Sequence, residues 1–155
     1  MGFTIFEVEI GAGRVALAPM PLEAEDILQI AQWGADFVVS LTEINEGPTA
    51  TIQSQLSLCG VRWVHVPIVD FGVPDADVSE ALDAVVAKTV VALLQGRRVL
   101  FHCMGGCGRS GMAVMRVMHV MGVEDALEKL RKVRPCAVET EAQAAWALRP
   151  VINGG

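Results

Sequence analysis

The stretch Val99-Leu100-Phe101-His102-Cys103-Met104-Gly105-Gly106-Cys107-Gly108-Arg109-Ser110-Gly111 gathers the residue types that do chemistry. An apolar run enters a glycine-rich turn, and a helix is expected from about Arg109 to Met121. Backbone N–H groups in such a turn can converge, and the helix N-terminus adds the positive end of its dipole. Together they make a cradle sized for one phosphate, resting on Met104, Gly105, Gly106, Cys107 and Gly108. Cys103 sits at the bottom. The amides and Arg109 favour thiolate over thiol, so its sulfur is expected to ionise well below the free value of about 8.5. A thiolate under a phosphate is placed for in-line attack.

Arg109 follows Cys103 by six positions. Its planar fork can hold two phosphoryl oxygens at once, which Lys cannot do, and charge on those oxygens grows in the transition state. Ser110 can donate its hydroxyl to the sulfur when the thiolate leaves. A bare C-x5-R would read better as a buried strand, a turn and an inert cysteine. Here His102, Cys103, Gly106, Gly108, Arg109 and Ser110 all coincide in a strand–turn–helix setting. At roughly one chance in twenty per position, coincidence is negligible.

A leaving alkoxide needs a proton, and a cysteinyl-phosphate then needs an activated water; one carboxyl group can serve both steps. Asp70 and Asp75, both on the Pro67–Asp75 loop, are the candidates. Asp75 follows Pro74 and opens a helix, where an aspartate is ordinarily a cap.

The elements that must position these groups alternate between strand and helix. Strands are expected over Phe3–Ile10, Arg14–Ala18, Phe37–Leu41, Val61–Val66 and Arg97–His102. A helix starting at Pro21 should run to Trp33, and another should run from Pro48 to Cys59. Leu82, Val85, Val86, Thr89, Val90, Leu93 and Leu94 share one face of a third helix. Later helices are expected over Glu124–Val133 and Thr140–Leu148, with Pro135 between them. This order predicts an α/β fold: one compact domain over residues 1–155, with a mostly parallel central sheet and helices on both faces. The first two strands would form an antiparallel edge. Met115, Met118 and Met121 recur at helical spacing and read as core, and Trp33, Trp63 and Trp146 read as core or edge packing.

The chain has 155 residues, the length of one domain, with a net charge of −6 and 52% hydrophobic residues. That balance excludes a disordered chain and argues against nucleic-acid or membrane partners. No basic segment precedes an apolar one at the N-terminus, so a cytoplasmic location is expected. Cys59, Cys103, Cys107 and Cys136 lack metal-ligand spacing, so no metal is expected, and in a cytosolic chain they are expected to be reduced. Cys59 and Cys136 read as small apolar fillers.

The signature H-C-x-x-G-x-G-R-S resembles that of the cysteine-dependent protein tyrosine phosphatase superfamily. The likeness covers most of the chain, and its size and order of elements look like the dual-specificity branch, nearest the cyclin-dependent-kinase-associated type. The resemblance implies a protein tyrosine phosphatase-like fold and a phosphoprotein phosphatase without a cofactor. It implies a phosphorylated protein or peptide as partner. Cys103 would be the nucleophile, Arg109 the phosphate ligand, and His102 the residue that orders the loop. His65-Val66-Pro67-Ile68-Val69-Asp70-Phe71-Gly72 is similar to that group's acid loop and favours Asp70. The family carries a water-positioning glutamine segment, matched here by Glu139 and Gln143, although Thr140-x-x-Gln143 is also a capping box. A carboxylate at Glu139 would repel phosphate, so it is expected to point away or to be offset by a neighbour such as Arg134. Many relatives have a redox-active cysteine at the position of Ser40; here Cys107 would be the remaining partner for Cys103. A phosphoinositide or RNA 5′-phosphate as substrate, a sulfurtransferase, and a non-catalytic phosphate-binding module are the alternatives. The first is disfavoured because the loop has no lysine.

Overall fold

The computed structural model describes residues 2–151. Five strands, β1 (Phe6–Ile10), β2 (Gly13–Ala18), β3 (Ala35–Ser40), β4 (Arg62–His65) and β5 (Arg98–His102), form one sheet in the order β1-β2-β5-β3-β4. β1 pairs antiparallel with β2, and the other pairs are parallel. The helices are α1 (Ala24–Trp33), α2 (Thr49–Leu58), α3 (Ala76–Leu94), α4 (Gly108–Val120), α5 (Ala126–Val133) and α6 (Glu141–Ala147).

Strand side chains alternate between two cores, as the period of two requires. Val15, Leu17, Phe37, Val39, Val99 and Phe101 face α3 to α6. Ala16, Ala18, Val38 and Leu100 face α1 and α2 through Ile27, Ile30, Ile52 and Leu56. β5 lies between β2 and β3 and is buried on both faces. Its carboxyl end therefore opens at the centre of the sheet edge, where parallel α/β sheets place their ligand sites.

α4 leaves that end. Eleven consecutive residues, Gly108 to Met118, are buried, so this helix is enclosed by protein on all sides rather than amphipathic. Gly111 makes the enclosure feasible. A Cβ there would lie 2.6 Å from the backbone nitrogen of Val138, so only glycine lets the loop before α6 come this close.

Several boundaries differ from the sequence expectation. α1 begins at Ala24 rather than Pro21, because Asp26 accepts from the amides of Leu22 and Glu23 and sets the first turn there. Residues 3–5 lie outside the ladder, whose pairing starts at Phe6 opposite Leu17. Leu94 is 72% exposed although the pattern placed it on the buried face of α3. At 3.6 residues per turn it has drifted roughly 120° from Leu82, whereas Leu93 remains aligned with it.

Candidate active site

The turn after β5 presents its amides inward because every carbonyl from Cys103 to Cys107 is held from outside. The carbonyl of Cys103 accepts from His102 Nδ1 at 3.1 Å, and that of Met104 from the Met20 amide at 2.9 Å. Those of Gly105 and Gly106 accept from Arg134 at 2.9 and 3.2 Å. That of Cys107 accepts from the amides of Val138 and Gly111, each at 3.0 Å. In a trans peptide the N–H points opposite the preceding C=O. The amides of Met104, Gly105, Gly106, Cys107 and Gly108 therefore turn toward the concave side, which makes the anion-binding nest. Gly106 has φ +73°, and a Cβ there would fall 2.6 Å from Pro19 nitrogen, so this position admits only glycine.

Cys103 lies beneath these amides, 3% exposed, with its Sγ 3.2 Å from the Ser110 hydroxyl. Arg109 is the largest fully buried side chain among the described residues. Its Nη1 and Nη2 meet the two carboxylate oxygens of Glu46 at 2.8 and 3.0 Å, and Nη1 also donates to the Ile68 carbonyl at 2.9 Å. Asp70 lies 3.4 Å from Nη2. The Nε–H is buried without a partner among the described residues, an expensive condition that an oxyanion in the cradle would relieve. Burial opposes the charge of Arg109, but the bonds to Glu46, with Cys103 and Asp70 nearby, raise its pKa further, so it stays a cation. The same bond holds the Glu46 carboxyl below its usual range.

His102 is fully buried. The Cys103 carbonyl can only accept, which places the proton on Nδ1 and makes Nε2 an acceptor for the Ser40 hydroxyl. Ser40 accepts in turn from the indole N–H of Trp63 at 2.7 Å. Burial is the main reason that the His102 pKa falls from 6.5 to about 4, so the ring is neutral and its tautomer fixed.

Asp75 caps α3, accepting from the Val78 amide at 2.9 Å. Asp70 instead stands at the mouth beside Arg109, its side chain 53% exposed. Gln143 is both a cap and a tether. Its Oε1 accepts from the amides of Glu139 and Thr140, and its Nε2 donates to the Gly72 carbonyl at 3.2 Å, fastening the Asp70 loop to α6. That Nε2 would also lie 3.2 Å from a Cβ on Gly108, so it borders the phosphate turn.

Glu139 corrects one expectation. Its Oε1 would collide with a Cβ on Gly108, so the carboxylate rests against the start of α4 rather than pointing away. Arg134 is engaged with the loop carbonyls instead. The cysteines correct another. Cys107 and Cys136 form a disulfide, with Cα atoms 5.2 Å apart, so these two thiols are not reduced and Cys136 is no apolar filler. The sulfur of Cys107 is committed to Cys136 and does not serve as a partner for Cys103. Packing of the 134–138 segment on the phosphate turn creates this pairing across 29 residues, which no spacing rule reveals.

Glu46, the hydrogen-bonding roles of Ser40 and Trp63, and the carbonyl-holding role of Arg134 escaped the sequence reading. Only the strand ending at Ser40 beside the one ending at His102 offered a signal, because parallel neighbours pair their ends. A cavity of about 1090 Å³ lies between α4 and α5 and includes neither Cys103 nor Arg109.

A family model described as Swiss Army Knife protein, DSP-PTPase phosphatase domain, matches residues 8–147. The chain belongs to the DSP-PTPase family. It is a cysteine-based phosphatase, a phosphoric monoester hydrolase, of the dual-specificity tyrosine phosphatase superfamily. Tk-PTP in its active form is 32% identical over 91% of this chain and 92% of its own, with a TM-score of 0.76. Kinase associated phosphatase shares the fold at 18% identity, covering 95% and 93% of the two chains, with a TM-score of 0.81. PTPMT1 in complex with PI(5)P does so at 21% identity over 92% of each, with a TM-score of 0.74. An uncharacterized protein of Methanocaldococcus jannaschii is 35% identical over 89 residues, 57% of this chain and 58% of that protein. The match therefore spans less than two thirds of that relative.

Proposed function

We propose that this DSP-PTPase domain hydrolyses phosphoprotein esters, phosphotyrosine above all and phosphoserine and phosphothreonine as well. The observation that carries the chemistry is the unpartnered Nε–H of buried Arg109 beside five inward amides, with a thiol directly beneath. Phosphate oxygens satisfy the amides and the Nε–H. The Cys103 thiolate attacks phosphorus in line, the P–S bond forms as the ester P–O bond breaks, and Asp70 gives its proton to the leaving oxygen. Asp70, now a carboxylate, takes a proton from water. The water oxygen attacks phosphorus and the sulfur departs, steadied by the Ser110 hydroxyl 3.2 Å away. His102 orients the first peptide of the cradle through the Cys103 carbonyl. Gln143 and Glu139 border the path of that water.

The mouth favours a phosphoprotein. Ile44, Val69, Phe71, Val73 and Met104 are apolar and at least 40% exposed, and they flank Glu46, Asp70 and Cys103 in the chain. A rim of this kind suits an aryl or peptide substrate. A polyphosphorylated headgroup would instead need lysines, and the loop has none. The test is turnover of a phosphopeptide panel that also contains a phosphoinositide, with parent protein and Cys103→Ser. Phosphotyrosine peptides should turn over fastest, and Cys103→Ser should lose turnover yet still bind phosphate analogues. Faster turnover of the phosphoinositide would overturn the substrate reading. Activity of Cys103→Ser within tenfold of the parent would overturn the nucleophile.

A further inference from the structure

Arg134 caps the end of α5, and its Nη2 lies 3.6 Å from Cys107 Sγ. Its Nη2 donates to the Gly105 carbonyl at 2.9 Å and its Nε to the Gly106 carbonyl at 3.2 Å. The guanidinium is seated against the Phe6 ring, its carbon 4.3 Å from the centroid. These two carbonyls belong to consecutive glycines. Glycine surrenders more conformational freedom on ordering than any other residue, so this is the part of the turn least able to hold its own shape. Packing confines Gly106, where a Cβ would fall 2.6 Å from Pro19 nitrogen, but not Gly105, where a Cβ would meet nothing within 4 Å. The other three carbonyls are fixed by backbone amides or by buried His102, whereas those of the two glycines accept from this one side chain.

We propose that Arg134 is a positioning residue for the phosphatase reaction. By holding both glycine carbonyls outward it turns the amides of Gly106 and Cys107 toward the phosphate. The planar fork is required, because two consecutive carbonyls are reached by two N–H vectors of one rigid group. A lysine would carry the charge but has a single nitrogen on a flexible stem. The inference rests on phosphate binding in the Cys103 cradle and holds for whichever ester is the substrate.

The experiment uses the full chain with its disulfide intact. An aryl phosphate serves as substrate and inorganic phosphate as competitive inhibitor, with Arg134→Ala, Arg134→Lys and Phe6→Leu compared to the parent. Loss of one aligned, charge-assisted hydrogen bond to phosphate corresponds to roughly 10- to 100-fold in affinity. For Arg134→Ala the phosphate Ki and the KM should rise by about that factor, with a smaller loss in kcat. Arg134→Lys should recover only part, and Phe6→Leu should shift Ki in the same direction by less. A role confined to stability would lower the melting temperature and leave Ki unmoved. Ki values within twofold of the parent in both Arg134 variants overturn the proposal. Full recovery by lysine also overturns it, because charge alone would then suffice. If Arg134→Ala does not fold, Arg134→Lys and Phe6→Leu decide the question by the same criteria. Failure of the underlying chemistry is seen separately, as a parent protein that does not turn over the aryl phosphate.

Discussion

Acid should unfold this protein through His102. The ring is completely buried, and its pKa is lowered by burial to about 4, against about 6.5 in an unfolded chain. Between those values the unfolded state binds a proton that the folded state refuses, so stability rises with pH across the window and falls as pH drops through it. Above pH 6.5 the ring is neutral in both states and contributes no slope. At 1.36 kcal/mol per unit, the cumulative loss from pH 7.5 down to pH 4 comes to about 3 kcal/mol. That is a large share of the 5–15 kcal/mol typical of a domain. The comparison is His102→Asn, whose side-chain amide can still donate to the Cys103 carbonyl but does not titrate. Asparagine leaves the Ser40 hydroxyl short of an acceptor, so the variant should be less stable at pH 7.5 by about 1–3 kcal/mol. The assay is urea unfolding at pH steps from 7.5 to 4, with the disulfide intact. The parent should lose its advantage progressively, the gap between the two proteins changing by about 3 kcal/mol in favour of the variant. Glu46, whose carboxyl is lowered by its bond to Arg109, gives the same sign at lower pH, but it is common to both proteins and drops out of the difference. A gap that stays constant from pH 7.5 to 4 would refute the reasoning, because the buried ring would then not be the group that resists protonation.

Asp70→Asn should lower the rate by roughly 10²–10⁴ for a poor leaving group and by less for a phenol of low pKa, in steady-state assays on both substrates. Asp75→Ala should leave the rate nearly unchanged and cost about 1 kcal/mol in urea unfolding, since Asp75 caps α3. A larger kinetic defect from Asp75 would reverse the assignment. Glu46→Gln keeps one acceptor for Arg109 but removes the charged two-point contact, so kcat/KM should fall by about tenfold or more; parent-like kinetics would show that Arg109 holds its position without it. Alkylation of denatured protein followed by mass measurement should tag Cys59 and Cys103 before reduction, and Cys107 and Cys136 only afterwards. Four tagged thiols without reductant would contradict the disulfide.

The cradle was legible in the sequence because its chemistry is local. Cys103, Arg109 and Ser110 share one strand–turn–helix unit, and their spacing alone places thiol, guanidinium and hydroxyl around one turn. The fold class was legible for a related reason. Apolar runs alternating with helical periods can be buried only as a parallel sheet between helices, and the two cores follow strand parity residue by residue. The partners that hold the cradle come from distant parts of the chain. Glu46 reaches Arg109 across 63 residues, Arg134 reaches Gly106 across 28, and Cys136 meets Cys107 across 29. Nothing in their neighbouring residues announces those contacts. Glu46 sits in an irregular segment before α2, and Arg134 stands at the end of α5, where a basic residue is already expected for the helix dipole. Asp70 and Asp75 show the same division. Sequence placed both on one loop, marked Asp75 as the cap of the next helix and favoured Asp70 as the acid, and only packing brought Asp70 to the guanidinium of Arg109. The identity of the reactive groups is set by covalent neighbours. The direction in which their amides, carbonyls and charges point is set by what the folded chain brings against them from elsewhere.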